Sequence, residues 1–217
     1  MTKNEFLENL KSPLPNAILK KYPLGNIMQF WAENSELYSG VFGQKDDVFK
    51  YISGHSGLDI ATFHRDKVYA AHNGFVSQIK TDKTNMGGLV VWIQSDILDD
   101  NGKQKIISSS YGHLDEIVVK ENQRLEAGDL IGYEGNTGFV ISGETAYWGN
   151  APAGKGTHLH FGLTEFELKD GSWQRLYPYM GGSFDPLPFF TKDYSGTIHL
   201  LNNIAKYLNY LLNKIKK

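Results

Sequence analysis

Two short segments of the chain hold residues whose types and spacing suit metal chemistry. In YISGHSGLDIA, His55 precedes Asp59 by four positions, and Gly54 and Gly57 oppose a continuous helix there. In extended chain an even separation turns both side chains to one face. In HLHFGL, His158 and His160 are two apart, so along a strand they also share a face, while Leu159 points the other way into apolar packing. The chain contains no Cys, which removes thiolate sites and disulfides together, so any metal must be held by His, Asp or Glu.

A structural zinc site is closed by four protein ligands, whereas a catalytic one uses about three and keeps a position open. Two imidazoles and one carboxylate supply the second kind, and a histidine left over can hydrogen-bond water or a substrate oxygen. Spacing does not choose between His158 and His160 as the ligand. His113, in SSSYGHLDEI beside Gly112, follows an apolar run and falls at a strand end, and it completes the cluster. Asp115 next to it caps a turn or orients His113. His72 in AAHNG and His64 read as turn and loop residues, and His199 as one face of a terminal helix.

The elements that must position these residues read as mainly β. From about residue 50 to 165, short runs rich in Val, Ile, Tyr and Phe alternate with Gly, Asn and Asp clusters. The runs predict strands over 67–70, 74–80, 88–95, 105–112, 117–119, 129–134 and 158–166. Turn signals fall at 72–74, 99–102 and 135–136, where Asn and Gly are expected to supply positive φ. An antiparallel, partly closed, barrel-like open sheet fits this pattern. Residues 139–157 (FVISGETAYWGNAPAGKGT) read as a long Gly-rich connection bordering the site, with Tyr147 and Trp148 lining a substrate groove or lying on a plain surface insertion.

Residues 1–49 read as a short helix and an extended lead-in, 50–190 as the metal-binding domain, and 191–217 as an amphipathic helix with apolar positions at helical spacing. That last helix packs on its own domain, meets a partner or lies on a membrane surface. A formal net charge of -2 over 217 residues argues against a nucleic-acid partner. No stretch reaches the ~20 apolar residues of a membrane span. The N-terminus lacks the apolar core of a secretory signal, so action outside a cell would need another route of delivery.

GHSGLD, YGHL and HLHFGL, in that order, resemble the lysostaphin-like zinc metalloendopeptidases, which cut the peptide part of peptidoglycan. VYAAHNGFVSQI and RLEAGDLIGYEGNTG resemble the stretches that accompany those motifs, and the likeness covers roughly residues 50–166. It implies a small antiparallel β fold with an open groove and one zinc ion held by His55, Asp59 and His160. It leaves His113 and His158 as catalytic histidines, which orient water, stabilise the oxyanion and pass a proton to the leaving amine. The chain departs from the common pattern in the length of 139–157, which bears on substrate preference. An inactive relative that binds or activates another cell-wall hydrolase is the alternative, but all five positions are filled. A carrier or phosphotransfer β domain is the other, and the Asp59 site opposes it.

Because metal ligation needs neutral imidazoles, activity is expected to fall below about pH 6, and a rate that stays flat down to pH 4 would contradict the histidine site.

Overall fold

The computed structural model of the chain describes residues 1–14, 26–29, 55–143, 145–176 and 182–190. The expected helix over 191–217 and most of the expected lead-in lie outside these residues. Among the described residues no helix is long and apolar enough to cross a membrane.

The principal sheet is antiparallel and open. It contains β1 (Asn26–Gln29), β2 (Leu58–Ala61), β4 (Gly74–Lys80), β5 (Leu89–Leu98), β6 (Gln104–Leu114), β8 (Arg124–Leu125) and β12 (Leu159–Lys169) in the order β1-β2-β12-β6-β5-β4-β8. Further along β12, strands β13 (Ser172–Arg175) and β14 (Ser183–Phe184) also pair with it. A smaller sheet runs β3-β9-β7, from Lys67–Tyr69, Leu130–Tyr133 and Glu116–Ile117, and β10 (Thr137–Ser142) with β11 (Thr145–Asn150) forms a separate hairpin.

Period-two alternation decides which face of the principal sheet is the core. Leu58 and Ile60 of β2, Leu159, Phe161 and Leu163 of β12, Ile107 and Tyr111 of β6, and Val91 and Ile93 of β5 are all buried on one side. The intervening residues, Asp59 and His160 among them, therefore project from the opposite face. Helix α1 (Lys3–Glu8) begins with a capping box in which Thr2 and Glu5 satisfy each other's backbone amides. It lays Phe6 and Leu7, followed by Leu10 and Leu14, into the same core. A second short helix, α2 (Leu187–Phe190), adds Phe190, whose ring meets Phe161 edge-on at 5.5 Å.

The strands expected from composition are present, most of them with shifted ends, and the structure adds β1, β2, β8, β10, β11, β13 and β14. The reading of 139–157 as an unpaired connection is corrected. Phe139 faces Trp148 and Val140 faces Tyr147 across the β10–β11 ladder, so most of the segment is a hairpin, which turns through Gly143 at φ 62°. Its alternation was hidden by Gly and by polar residues on a largely exposed strand. Of the expected turns, 99–102 closes with Gly102 at φ 75° and the Asp99 carboxylate accepting from the amides of Asn101 and Lys103. Gly74 and Gly135 serve differently, since neither has positive φ. A Cβ on Gly74 would run into the Gln94 carbonyl, and one on Gly135 into the Asp115 amide, so close chain approach is what excludes a side chain.

His72 is buried, as a structural residue. Its Nδ1 donates to the Asn73 carbonyl at 2.9 Å, its Nε2 meets the Ser109 hydroxyl at 2.8 Å, and Phe6 packs on its ring at 4.7 Å. Burial pulls its pKa down to about 4 against the weaker opposing effect of the Asn73 bond. The unfolded chain thus binds the extra proton first, and the stability present above the ordinary value of 6.5 is lost as pH falls through about 4. The urea midpoint is expected to drop between pH 6.5 and pH 4, and to drop less in His72→Gln. An equal drop in both proteins would remove His72 as the cause.

Candidate metal centre and its flanking histidines

Cross-strand register builds the centre. On adjoining strands Asp59 stands opposite His160, and His160 stands opposite Gly112, so all three positions line one row across β2, β12 and β6. Residues directly opposite in an antiparallel pair have Cβ atoms about 4.5–5.5 Å apart, which brings the Asp59 carboxylate to the His160 ring. The Oδ1–Nδ1 distance is 2.9 Å. His55 reaches the same point from the turn before β2. That turn can lie on β12 only because Gly57 and Gly162 lack side chains; a Cβ on Gly57 would strike the Phe161 carbonyl. His55 Nε2 then stands 3.1 Å from Asp59 Oδ1 and 3.1 Å from His160 Nδ1.

His113 gets to this face by a different route. In regular pairing it would follow Gly112 onto the core side. Between Tyr111 and Leu114 the β5–β6 register shifts by an extra residue on β6, and His113 sits there at φ 61°. The bulge returns Leu114 to the core and turns the His113 ring toward the centre. For a non-glycine residue this conformation costs on the order of 1–2 kcal/mol. A main-chain bond to the Gly87 carbonyl at 2.7 Å helps to hold it. The ring lies 4.4 Å from that of His158 and 6.2 Å from that of His160.

Two hydrogen bonds fix tautomers, because a carbonyl can only accept. His113 Nδ1 donates to the Thr137 carbonyl at 2.8 Å, and His158 Nδ1 donates to the Gly156 carbonyl at 2.8 Å. In the neutral form each ring therefore carries its lone pair on Nε2. His158 Nε2 is 3.6 Å from Asp59 Oδ2. His160 is arranged the other way round. Its Nδ1 points into the centre while Nε2 lies 3.2 Å from the Ser56 hydroxyl, which can accept its proton.

The electrostatics suit a cation. Burial, then the neighbouring histidines, hold His113 down to about 3; burial also lowers His160, against the pull of Asp59. These two rings thus resist protonation further into acid than a free imidazole would, so their share of the fall in activity expected below about pH 6 is displaced to lower pH. For Asp59, burial acts to raise the pKa, but His55 and His158 together with hydrogen bonds from His160 and His55 outweigh it, and the carboxyl stays well below its ordinary value. An ionised carboxylate oxygen and two ring nitrogens converge within 3.1 Å of one another. Ligands at about 2.0–2.1 Å from a tetrahedral ion stand roughly 3.3 Å apart, so the donor set fits a metal ion of this kind with little movement. His55, Asp59 and His160 are the group that could hold it among the described residues.

Other candidates separate from the centre. Among the described residues Asp115 neither caps a turn nor meets the His113 ring; it pairs with Arg65, and His64 Nε2 approaches it at 3.9 Å. On the hairpin, Trp148 is half exposed and stacks on Phe139 at 4.6 Å, while Tyr147 lies on the other face. The 139–157 segment adjoins the centre at its far end, where Gly156 holds His158. Residues that motif reading passed over are Ser56, Glu134, Asn136 and Thr137. Only the EGNTG stretch marked three of them, and it carried no role.

The model of Peptidase family M23 matches residues 53–173, more than half of the 217-residue chain, and the chain belongs to that family. GHSGLD, YGHL and HLHFGL all fall within the matched residues, in keeping with the lysostaphin-like resemblance. A comparison with curated protein sequences finds no match. Among solved structures, the catalytic domain of the antimicrobial peptidase lysostaphin from Staphylococcus simulans is similar at 22% identity, covering 64% of this chain and 80% of that one, with a TM-score of 0.41. LytU is similar at 27% identity, over 75% of this chain and 82% of that one, with a TM-score of 0.44. A zinc containing peptidase from Vibrio cholerae shares 20% identity over 75% of this chain and 36% of that one, with a TM-score of 0.44.

Glu134, wholly buried, accepts the amide of Thr62 at 3.1 Å and bonds its hydroxyl, which ties down the chain just beyond β2. Burial raises its pKa to about 8. Its folded value lies above its unfolded one, so its contribution is full below about pH 4.5 and is lost as pH rises through 8. Glu134→Gln is expected to melt a few degrees above the parent at alkaline pH and level with it in acid. A variant less stable than the parent at both ends would contradict the buried neutral acid.

Proposed function

We propose that the chain is a zinc-dependent endopeptidase that hydrolyses peptide bonds in the stem peptides or cross-bridges of peptidoglycan. The observation that carries this reading is the convergence of His55 Nε2, Asp59 Oδ1 and His160 Nδ1 within 3.1 Å, beside two histidines whose Nδ1 protons are committed to carbonyls. Membership of Peptidase family M23 supports it. One zinc ion would be held by His55, Asp59 and His160. When bound it supplies Lewis acidity toward the scissile carbonyl and makes water a better nucleophile.

The remaining work belongs to the chain. With Nδ1 donated away, Nε2 of His113 and Nε2 of His158 are the basic atoms, and each can take a proton from the attacking water. The ring that has taken it becomes an Nε2–H donor, which can stabilise the developing oxyanion or deliver the proton to the leaving amine. Their ring separation of 4.4 Å lets the two share one reacting group. Tyr147 and Trp148 are proposed to border the groove, Trp148 with its half-exposed face. A wall substrate would put the activity in the periplasm, outside the cell or under phage delivery.

Alanine at His55, Asp59 or His160 is expected to abolish zinc binding and cleavage together, whereas alanine at His113 or His158 should cut cleavage by at least about 100-fold with the metal retained. Zinc content by mass spectrometry and digestion of defined muropeptides check this. Full cleavage by Asp59→Ala would overturn the ligand assignment, and a zinc-loaded parent that leaves every muropeptide intact would overturn the substrate.

A further inference from the structure

At the start of β10, Thr137 meets His113 through its main-chain carbonyl, and the side chain of Asn136 just before it reaches the turn that leads to His158. Thr137 is 1% exposed and Asn136 3%, so neither can meet a substrate. The Thr137 hydroxyl donates to the Leu114 carbonyl at 2.7 Å and accepts the Leu89 amide at 2.9 Å. Those residues stand opposite each other just past the bulge that turns His113 outward. The carbonyl of Thr137 then receives the His113 ring. One residue thus grips the strand on which His113 sits and the ring itself.

Asn136 acts on the other histidine. Its amide donates both protons, to the Pro152 carbonyl at 2.8 Å and to the Lys155 carbonyl at 2.9 Å, closing the turn that leads into Gly156. Gly156 holds the His158 ring, and the neighbouring Gly135 carbonyl accepts the His158 amide at 3.1 Å. Nearby, a Cβ on Gly138 would strike Gly88, so this stretch is seated against the 86–88 turn without slack.

We propose that Asn136 and Thr137 are positioning residues, Thr137 for His113 and Asn136 for His158, which set the tautomer and aim of each ring. The kinetic half of this rests on the function proposed above; the tautomer half does not. Removing such a partner costs about 10–100-fold in activity.

The test uses the full chain, with and without added zinc. Long-range 15N NMR of the histidine rings reads tautomers without substrate, and both rings should be Nδ1–H in the parent. Thr137→Val, which keeps shape and loses the hydroxyl, should mix the tautomers of His113 and leave His158 as it was; Asn136→Ala should do the reverse. On a defined cross-linked muropeptide, kcat should fall about 10–100-fold with KM and zinc content little changed, and Thr137→Ser should recover the parent rate. Unchanged tautomers in both variants, both rings disturbed alike by either, or no recovery in Thr137→Ser would overturn the proposal. If the parent cleaves nothing, the proposed function fails, and the ring-selective tautomer change still decides the positioning claim. Asn136→Ala, at a separate contact, decides it if Thr137→Val does not fold.

Discussion

The register of β2 and β6 on β12 is the constraint on which the centre depends. It places Asp59, His160 and Gly112 in one row on the face opposite Phe161, Leu58 and Tyr111. Because side chains alternate with period two, a slip of one residue would send Asp59 into the core and an apolar neighbour outward. The apolar residues therefore do more than stabilise the sheet. By burying Leu159 and Phe161 on either side of His160, they fix which face the histidine must take.

Regular pairing alone would not assemble five groups at one point. His55 needs a turn pressed against β12, which Gly57 and Gly162 permit, and His113 needs a bulge with positive φ. Both departures from regular structure lie at the centre, where local strain is held by well-made contacts around it. Burial also sets the chemistry. It keeps His113 and His160 neutral, whereas the histidines around Asp59 and their hydrogen bonds hold its carboxyl ionised against burial, so the centre offers lone pairs and one negative charge together.

The surroundings divide into a rigid side and an exposed one. Glu134, Asn136 and Thr137 tie the smaller sheet and hairpin to the strands that carry the centre. The hairpin beyond them turns Trp148 and Phe139 outward, away from buried Val140. On the proposed function, this division gives the reacting groups fixed geometry and leaves the exposed margin to meet the substrate.

Much of this was legible in the residues. His55, Asp59, His158 and His160 announced themselves by type and spacing, because period two makes shared faces readable from extended chain. The strands with clear apolar runs were legible for the same reason. The EGNTG stretch was visible only as part of a likeness, since hydrogen bonds to distant carbonyls leave no periodic trace. The hairpin β10–β11 was missed because its partly exposed strands lack alternation strong enough to separate them from a loop. Sequence by itself determined the inventory of donors, the mainly β class and the family likeness. Only the tertiary structure decided which nitrogen of His113, His158 and His160 faces the centre, because that choice is made by carbonyls and a hydroxyl that the fold brings to their rings.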